Sequence, residues 1–372
     1  MHTDWRLIGL LFLAGLFAAA QFAKIALTLV PLAAIYPDAP LPWAVSALSV
    51  AGILFGVTAG MIVAQFGARR VILTALVVAS LVSLGQAALP GFSVFMWLRV
   101  FEGLSHLAIV VAAPTLMAAV AQPKDVPVAM GLWGTFFGVG FAGTAAVLPL
   151  LSGPAAVYIA HGLFGLVLVA ALWPLLPRGV ARGTWQGGIV ARHIAIYTSP
   201  RIVAPALGFL WHTLMFLGLL TFAPRFLGAW SAPVLPLLAL VGTLGAGWLA
   251  RRYAPADILL TGFGLTIIGG LLVLALSGGA QTVVMLTLFV VMGLVPGASF
   301  ANVPALNADG ADQARSNGAV AQIGNVGTAC SVPVMAATLS VGLLGLLLAT
   351  MVISALGMVS VWFIHRKIAK SA

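Results

Sequence analysis

The sequence PWAVSALSVAGILFGVTAGMIVAQF at residues 42–66 decides the fold, together with the segment Gly67-Ala-Arg69-Arg70 that follows it. The run contains no Asp, Glu, Lys, Arg or His, and it is closed by a pair of arginines. An α-helix needs about 20 predominantly apolar residues to cross the hydrocarbon core of a bilayer. We therefore predict a membrane-spanning helix whose end is marked by two positive charges.

The rest of the chain repeats this pattern. Of its 372 residues 62% are apolar and 6% are charged, whereas an ordinary soluble domain carries about 25% charged residues. Twelve apolar runs, each bounded by Pro, Gly or a charged residue, are predicted to span the membrane: 7–35, 42–66, 71–89, 92–120, 127–151, 154–176, 202–227, 231–250, 255–277, 281–306, 314–339 and 341–364. None alternates polar and apolar residues as the strands of a membrane barrel do. Since a backbone in lipid must satisfy its own hydrogen bonds, we predict an all-α membrane protein with about 12 transmembrane helices.

The basic residues predict an orientation. The net charge is +10, and with the N-terminus in the cytoplasm 14 of the 17 Lys and Arg residues fall in cytoplasmic segments. This excess follows the positive-inside rule, so the charge does not require a nucleic-acid partner. Together with the short loops, it predicts a multi-pass protein of a bacterial inner (plasma) membrane with both termini in the cytoplasm. The single cysteine, Cys330, excludes an internal disulfide.

The two halves of the chain resemble each other. In each half a glycine is followed nine residues later by a pair of arginines. The first half has Gly60 with Arg69 and Arg70, and the second half has Gly242 with Arg251 and Arg252. Equivalent residues of the two motifs are 182 positions apart. The longest polar stretch lies between the halves. We predict an N-terminal six-helix bundle at 1–176, a basic cytoplasmic linker at 177–200 and a C-terminal six-helix bundle at 201–372. Parallel repeats of this kind build transporters whose substrate site lies near mid-membrane.

Three stretches resemble motifs of the major facilitator superfamily. Gly60-Met-Ile-Val-Ala-Gln-Phe-Gly67-Ala-Arg69-Arg70 resembles the loop motif after the second helix of that family, with Ala64 and Gln65 standing where the family has an acidic and a basic residue. Arg99-Val-Phe-Glu102-Gly103 resembles the Arg-x-x-x-Gly motif of the fourth helix. The third is a glycine ladder where proton antiporters of the family carry a Gly-Pro motif, here without the internal proline: Gly131, Gly134, Gly138, Gly140 and Gly143.

A narrower resemblance is to the cyanate, nitrite and nitroimidazole permease branch of the family. It rests on Ala129-Met-Gly-Leu-Trp-Gly134 and on a basic residue in the first helix. The family resemblance implies two pseudo-symmetric six-helix bundles, transport by alternating access, no cofactor and function as a monomer. It also implies a gating role for the loop-motif residues: Gly60, Gly67, Arg69, Arg70, Arg251 and Arg252.

The fourth predicted helix carries three polar residues on one face. Arg99, Glu102 and His106 stand at positions i, i+3 and i+7, which places them within about 60° of one another around the helix. Charged residues inside a membrane cost free energy and commonly mark functional sites. One hypothesis is that Arg99 anchors the substrate while Glu102 and His106 carry a coupling proton. The alternative is a structural cluster in which Arg99 and Glu102 neutralise each other.

Lys24 is a second buried cation, well past the middle of the first predicted helix. Helices one and four both line the cavity in the family that the chain resembles, so Lys24 and Arg99 together would attract an anion. The alternatives are that Lys24 extends to the membrane surface or pairs with Glu102. Polar residues of the second half, Trp211, His212, Asn302 and Gln322, are further candidates for substrate binding, with contacts between helices as the alternative.

These observations favour a transporter. The sequence contains no phosphate-binding loop, zinc-ligand spacing or nucleophile elbow, so neither an enzyme nor a cofactor or metal site is predicted. The first hypothesis is proton-coupled uptake of a small anionic or polar compound, with that solute, protons and the lipid bilayer as the only partners. The competing hypothesis is a proton-antiport exporter of drugs or metabolites.

Overall fold

A computed structural model describes residues 2–178 and 188–371, apart from the side chains of Pro42 and Ile189. Every regular element in these residues is helical, as the sequence predicts. The α-helices are α1 (Trp5–Ala26), α2 (Leu29–Ile35), α3 (Pro42–Phe66), α4 (Ala68–Ala87), α5 (Phe92–Val120), α6 (Val126–Gly134), α7 (Phe136–Val147), α8 (Pro154–Leu175), α9 (Ile189–Thr198), α10 (Pro200–Phe222), α11 (Pro224–Leu227), α12 (Ser231–Leu249), α13 (Pro255–Ala275), α14 (Gly278–Leu306), α15 (Gly310–Ala336) and α16 (Gly342–Lys370). Two short 3-10 turns occur at Leu148–Leu150 and Leu339–Val341.

The number of spans agrees with the sequence. Over the described residues, ten segments are long and apolar enough to cross a bilayer, and a bent pair formed by α6 and Phe136–Leu150 makes an eleventh. The last segment, Gly310–Lys370, contains both α15 and α16. Counting these two helices separately gives twelve, which confirms the prediction of an all-α protein with about twelve transmembrane helices.

Two of the predicted runs contain an interruption of the helix beside a threonine. In the first run α1 ends at Ala26, where the Thr28 hydroxyl donates to the Lys24 carbonyl at 2.5 Å. In the fifth run the chain bends by 47° between α6 and α7, where the Thr135 hydroxyl donates to the Leu132 carbonyl at 2.7 Å. A threonine hydroxyl that takes a helix carbonyl competes with the backbone ladder. These local bonds lie at breaks that hydropathy alone does not predict.

The predicted linker contains a helix of its own. Residues 179–187 lie outside the described part of the chain, but α9 occupies most of the remainder. It ends at Thr198, and Pro200 begins α10 at a position where the missing N–H of proline costs no helical hydrogen bond. The limits predicted for the two bundles, 1–176 and 201–372, remain a prediction.

The described residues form two compact units. The first contains residues 2–122, 136–178 and 309–321, and the second contains 123–135, 188–308 and 322–371. The first unit therefore includes the start of α15, and the second includes α6. Each has its own apolar core, with Ile25, Phe95 and Tyr158 in the first and Phe263 and Phe289 in the second.

Candidate functional site

A buried polar cluster occupies the first unit, where α1, α4, α5 and α8 meet. The helices supply one acid, two cations and several neutral hydrogen-bonding groups. Its members are Gln21, Lys24, Ser83, Gln86, Arg99, Glu102, His106, Tyr158 and His161. Ionisable side chains within membrane spans are costly and are commonly paired with each other or with backbone carbonyls, and this cluster shows both kinds of partner.

Glu102 is the centre of the cluster. Its Oε1 lies 2.6 Å from Lys24 Nζ, and its Oε2 accepts hydrogen bonds from Arg99 Nη1 and, at 2.7 Å, from Gln86 Nε2. The three ionisable side chains are at most 1% exposed. With all three ionised, two cations face one carboxylate, so the centre carries one net positive charge.

Arg99 joins three helices. Its Nε donates to the Ala44 carbonyl of α3 at 2.8 Å, and its Nη1 donates to the Gln21 carbonyl of α1 at 3.1 Å in addition to Glu102. The planar fork of a guanidinium suits several fixed acceptors at once. Among the described residues its Nη2 has no hydrogen-bond partner. Arg99 is therefore held in place but keeps one donor for another acceptor.

Lys24 connects Glu102 with α4 and α8. Its Nζ donates to Ser83 Oγ at 2.8 Å and lies 5.2 Å from the centre of the Tyr158 ring. Ser83 Oγ in turn lies 2.9 Å from the Tyr158 carbonyl, to which it donates, and 3.0 Å from His161 Nδ1. The ring of His161 stacks on Phe17 with centroids 4.1 Å apart. A continuous line of polar contacts thus runs from Lys24 through Ser83 to His161.

His106 lies on the predicted face of α5 but does not contact Glu102. Its Nδ1 lies 3.0 Å from the Ala18 carbonyl and 3.2 Å from Gln21 Oε1. Because the carbonyl can only accept, Nδ1 carries a hydrogen and donates. An edge-to-face contact with Phe22, at 5.1 Å between centroids, fixes the ring on the α1 side.

The structure brings Lys24 into contact with Glu102, which the sequence places beside Arg99 on one face of α5. It shows Lys24 paired with Glu102, which was one of the alternatives, rather than two unpaired cations. The neutral members from α1 and α4 were not predicted, although their spacing gave a signal. Ser83 and Gln86 stand three residues apart on α4, as Gln21 and Lys24 do on α1, and residues at this spacing share a helix face.

The four candidates of the second unit form separate contacts. Trp211 Nε1 donates to Ser360 Oγ of α16 at 2.7 Å. Asn302 Nδ2 lies 3.1 Å from His365 Nε2, also on α16. Gln322 Oε1 accepts a hydrogen bond of 2.8 Å from Tyr197 of α9. Partial burial raises the pKa of the Tyr197 hydroxyl above its usual range, so this donor keeps its proton.

His212 differs from those three. Its ring stacks on Phe216 with centroids 4.7 Å apart, and it is 5% exposed. Within the part of the chain that the structure describes, its Nδ1 has no hydrogen-bond partner. Buried polar atoms are usually paired, so an unsatisfied ring nitrogen is available to a ligand.

The two arginine pairs of the repeated motif have different partners. Arg69 donates to the carbonyls of Trp173 at 2.8 Å and Leu176 at 3.1 Å, and thus caps the C-terminus of α8. Arg251 donates to the Lys124 carbonyl at 3.2 Å and lies 3.4 Å from Asp125 Oδ1, just before α6. Arg70 and Arg252, the second arginine of each pair, are exposed. Arg252 also lies 5.8 Å from the centre of the Trp248 ring.

Comparison with known proteins identifies the fold. A sequence profile described as Major Facilitator Superfamily matches residues 7–330. A search of curated proteins found no match.

Three solved structures are similar over nearly the whole chain. The proton:xylose symporter XylE, bound to 6-bromo-6-deoxy-D-glucose, has a TM-score of 0.77 at 13% identity and covers 98% of this chain and 95% of its own. The E. coli fucose:proton symporter FucP has a TM-score of 0.72 at 16% identity, with 98% and 99% covered. The human organic anion transporter MFSD10 (TETRAN) has a TM-score of 0.74 at 16% identity, with 98% and 100% covered. At these identities the likeness shows the fold.

Proposed function

Because the chain belongs to the major facilitator superfamily, we propose that it is a secondary transporter that couples uptake of a small anionic or polar solute to protons by alternating access. Membership of this family makes the chain a transporter rather than an enzyme. Two structural neighbours are proton symporters and a third transports organic anions. These functions belong to the neighbours and support the proposal only as precedents within the same fold.

The observation that carries the proposal is the excess of positive charge at Glu102. Lys24 and Arg99 both contact this one carboxylate, and none of the three side chains is exposed by more than 1%. An uncompensated charge in a buried site costs several kcal/mol. A solute anion would compensate it, and the free Nη2 of Arg99 would donate to that anion. The coupling proton would bind within the same cluster.

Four residues of the second unit are further candidates for binding the solute. We propose His212 as the first of these, because its unsatisfied Nδ1 lies beside an aromatic ring that can support a flat molecule. Trp211, Asn302 and Gln322 remain candidates that would exchange their present partners for the solute. The repeated motif would act in gating through its glycines and arginines: Gly60, Gly67, Arg69, Arg70, Arg251 and Arg252.

Proton flux in proteoliposomes tests the function. Purified protein would be reconstituted with an internal pH dye, and a panel of small anions, vitamins and cationic drugs would be offered outside. The wild type would be compared with Lys24→Met and with a matched control, Lys124→Met, because the Lys124 side chain is exposed. Lys24→Met leaves Arg99 and Glu102 as a neutral pair, so the variant is expected to fold. Size-exclusion chromatography checks this.

The proposal predicts that one or more anions drive proton entry in the wild type and in Lys124→Met but not in Lys24→Met. Proton exit driven by cationic or apolar compounds, unchanged by Lys24→Met, would replace uptake by antiport export. Flux of a solute with no movement of protons would contradict the coupling.

The location and the assembly are also part of the proposal. We propose a bacterial inner membrane and cytoplasmic termini on the basis of the distribution of Lys and Arg, and a monomer on the basis of the family resemblance alone. A fusion of alkaline phosphatase or green fluorescent protein to the C-terminus tests the orientation, since the phosphatase is active only outside the cytoplasm and the fluorescent protein folds well only inside it. Mass measurement of the protein in detergent tests the monomer.

A further inference from the structure

Within the proposed coupling site, we propose that Lys24 is the residue that carries the exchangeable proton, and that Ser83 passes this proton between Lys24 and His161. The inference rests on the proposed function, because it names the proton site of that transporter. The sequence predicts Glu102 and His106 as proton carriers, but their contacts favour Lys24.

The charges at the centre leave Lys24 as the group that can change. Arg99 is held by three acceptors, Glu102 and the carbonyls of Ala44 and Gln21. Glu102 accepts from Gln86 and faces both cations, and each of these contacts favours its ionised form. Loss of one proton from Lys24 removes the net positive charge and leaves the pair of Arg99 and Glu102 intact.

His106 is outside this exchange. Its Nδ1 donates to a carbonyl and an amide oxygen of α1, both of them neutral groups. No hydrogen bond joins its ring to Lys24 or Glu102 within the described residues. It therefore positions Gln21, whose backbone carbonyl accepts from Arg99.

The donors and acceptors between Lys24 and His161 determine the direction in which a proton can move. His161 Nε2 lies 3.1 Å from the Phe17 carbonyl, which can only accept, so Nε2 carries a hydrogen. In the neutral ring Nδ1 is then an acceptor, and it lies 3.0 Å from Ser83 Oγ. Ser83 accepts from Lys24 at 2.8 Å and can turn its own hydrogen from the Tyr158 carbonyl to His161.

Proton transfer along this line is balanced at each atom. An N–H bond of Lys24 breaks as an O–H bond forms at Ser83, and the original O–H bond of Ser83 breaks as an N–H bond forms at His161 Nδ1. Lys24 becomes a neutral amine beside Glu102, and His161 becomes an imidazolium. His161 is 7% exposed whereas Lys24 and Ser83 are fully buried, so His161 is the end of the line that can exchange the proton further.

Among the residues that the structure describes, the surroundings of Lys24 add no other titratable group to this line. Arg99 and Glu102 face it from α5, and Tyr158 and His161 face it from α8. From α4 it meets the hydroxyl of Ser83, which does not titrate at working pH. Tyr158 has its own partner in Thr28, at 3.3 Å between the two hydroxyl oxygens.

The protonation state of Lys24 determines whether the site attracts the solute anion. When Lys24 is protonated, the centre has one net positive charge and attracts an anion. When Lys24 is neutral, that attraction is lost. Anion and proton are therefore bound together and released together, which is the requirement for symport.

Nitrogen NMR on the full chain tests the proposal directly, because the sequence has only four lysines: Lys24, Lys124, Lys367 and Lys370. Side-chain 15N-lysine and 15N-histidine labels would be followed over a pH series in nanodiscs. Lys24→Met and His161→Gln assign the two signals. We expect the Lys24 signal to change from ammonium to amine within the pH series. The His161 Nδ1 signal should shift over the same pH range, because the hydrogen bond that Ser83 can donate to it depends on the charge of Lys24.

Two serines of α4 provide a matched pair of variants. Ser83→Ala removes the link and should uncouple the His161 change from Lys24. Ser80→Ala should behave as the wild type, because the Ser80 hydroxyl donates within its own helix, to Leu76 at 2.7 Å. A Lys24 signal that stays ammonium throughout, or a His161 response that survives Ser83→Ala, would overturn the proposal. Solute-driven proton flux in liposomes reports on the proposed function separately.

Discussion

Gly60 of α3 and Gly318 of α15 approach so closely that a Cβ added to Gly318 would lie 2.9 Å from the Cα of Gly60. It would also lie 2.6 Å from the Gly56 carbonyl oxygen. Real Cβ atoms do not come this near to backbone atoms, so only glycine fits between the two helices. In the second unit Gly242, the repeat partner of Gly60, meets the backbone of Val290 on α14. The repeated glycine is therefore a position of close helix contact in both units.

Gly318→Ala is expected to destabilise the protein by about 1–3 kcal/mol, the usual cost of forcing extra volume into a packed interface. The added methyl group meets backbone atoms of α3, which cannot turn aside as a flexible side chain can. Thermal unfolding in detergent, followed by intrinsic tryptophan fluorescence, measures the effect.

Gly9→Ala is the matched control for this substitution. Gly9 lies within α1, and an added Cβ would meet nothing within 4 Å among the described residues. Alanine is also the better helix former, so the melting temperature should be unchanged or slightly higher. Equal losses in Gly9→Ala and Gly318→Ala would show that the close contact has no special cost.

Arg99→Lys is expected to be destabilising although it keeps the charge. A lysine ammonium cannot reach the Ala44 carbonyl, the Gln21 carbonyl and Glu102 at once, as the guanidinium fork does. Each unsatisfied buried group costs about 1–3 kcal/mol. The same exchange at the exposed Arg178 should have no measurable effect on the melting temperature. An Arg99→Lys protein as stable as the wild type would mean that charge alone holds α1, α3 and α5 together.

The sequence predicts the architecture well because the free energy of burying apolar residues in lipid determines which segments span the membrane. Apolar runs such as 42–66 must lie in lipid, and their number predicts the number of spans. The break at Thr135 and the contact of α6 with the second unit depend on tertiary packing, in which Gly131 fits against Gly247. Glycines mark such contacts in the sequence but do not say which helix is the partner.

The charged core of the site was predictable, whereas its connections were not. The spacing of Arg99 and Glu102 on one helix fixes their shared face, and Lys24 is notable as a cation far inside its span. Which oxygen each cation binds depends on how α1 and α5 pack. His161 illustrates the difference, because nothing on α8 alone indicates that Ser83 joins it to Lys24.

His212→Phe separates binding from stability. Phenylalanine keeps the stacking on Phe216 and removes a buried nitrogen that lacks a partner in the described residues, so stability should be equal or higher. If His212 binds the solute, uptake should fall at least several-fold at low solute concentration. Solute titrations in proteoliposomes and thermal unfolding provide the two measurements.

His161→Phe is the contrasting control for that experiment. Both ring nitrogens of His161 have partners, in Ser83 and in the Phe17 carbonyl, and their loss leaves buried groups unsatisfied. This variant should therefore lower the melting temperature, while His212→Phe should not. Uptake that is unchanged in His212→Phe would remove this residue from the proposed substrate site.

Arg69→Ala should cost more stability than Arg251→Ala, although the two arginines occupy equivalent places in the repeat. Arg69 caps two carbonyls at the C-terminus of α8, where a cation also favours the helix dipole, and it lies against the Trp173 ring. Arg251 forms a long, partly exposed ion pair with Asp125, and pairs of this kind contribute about 0–1 kcal/mol.

Melting temperatures at low and at physiological salt measure both variants. The effect of Arg251→Ala should shrink as salt screens the pair, and Asp125→Asn should show the same trend. A salt-independent loss in Arg251→Ala that exceeds the loss in Arg69→Ala would mean that the carbonyl of Lys124, rather than the carboxylate, is the important partner.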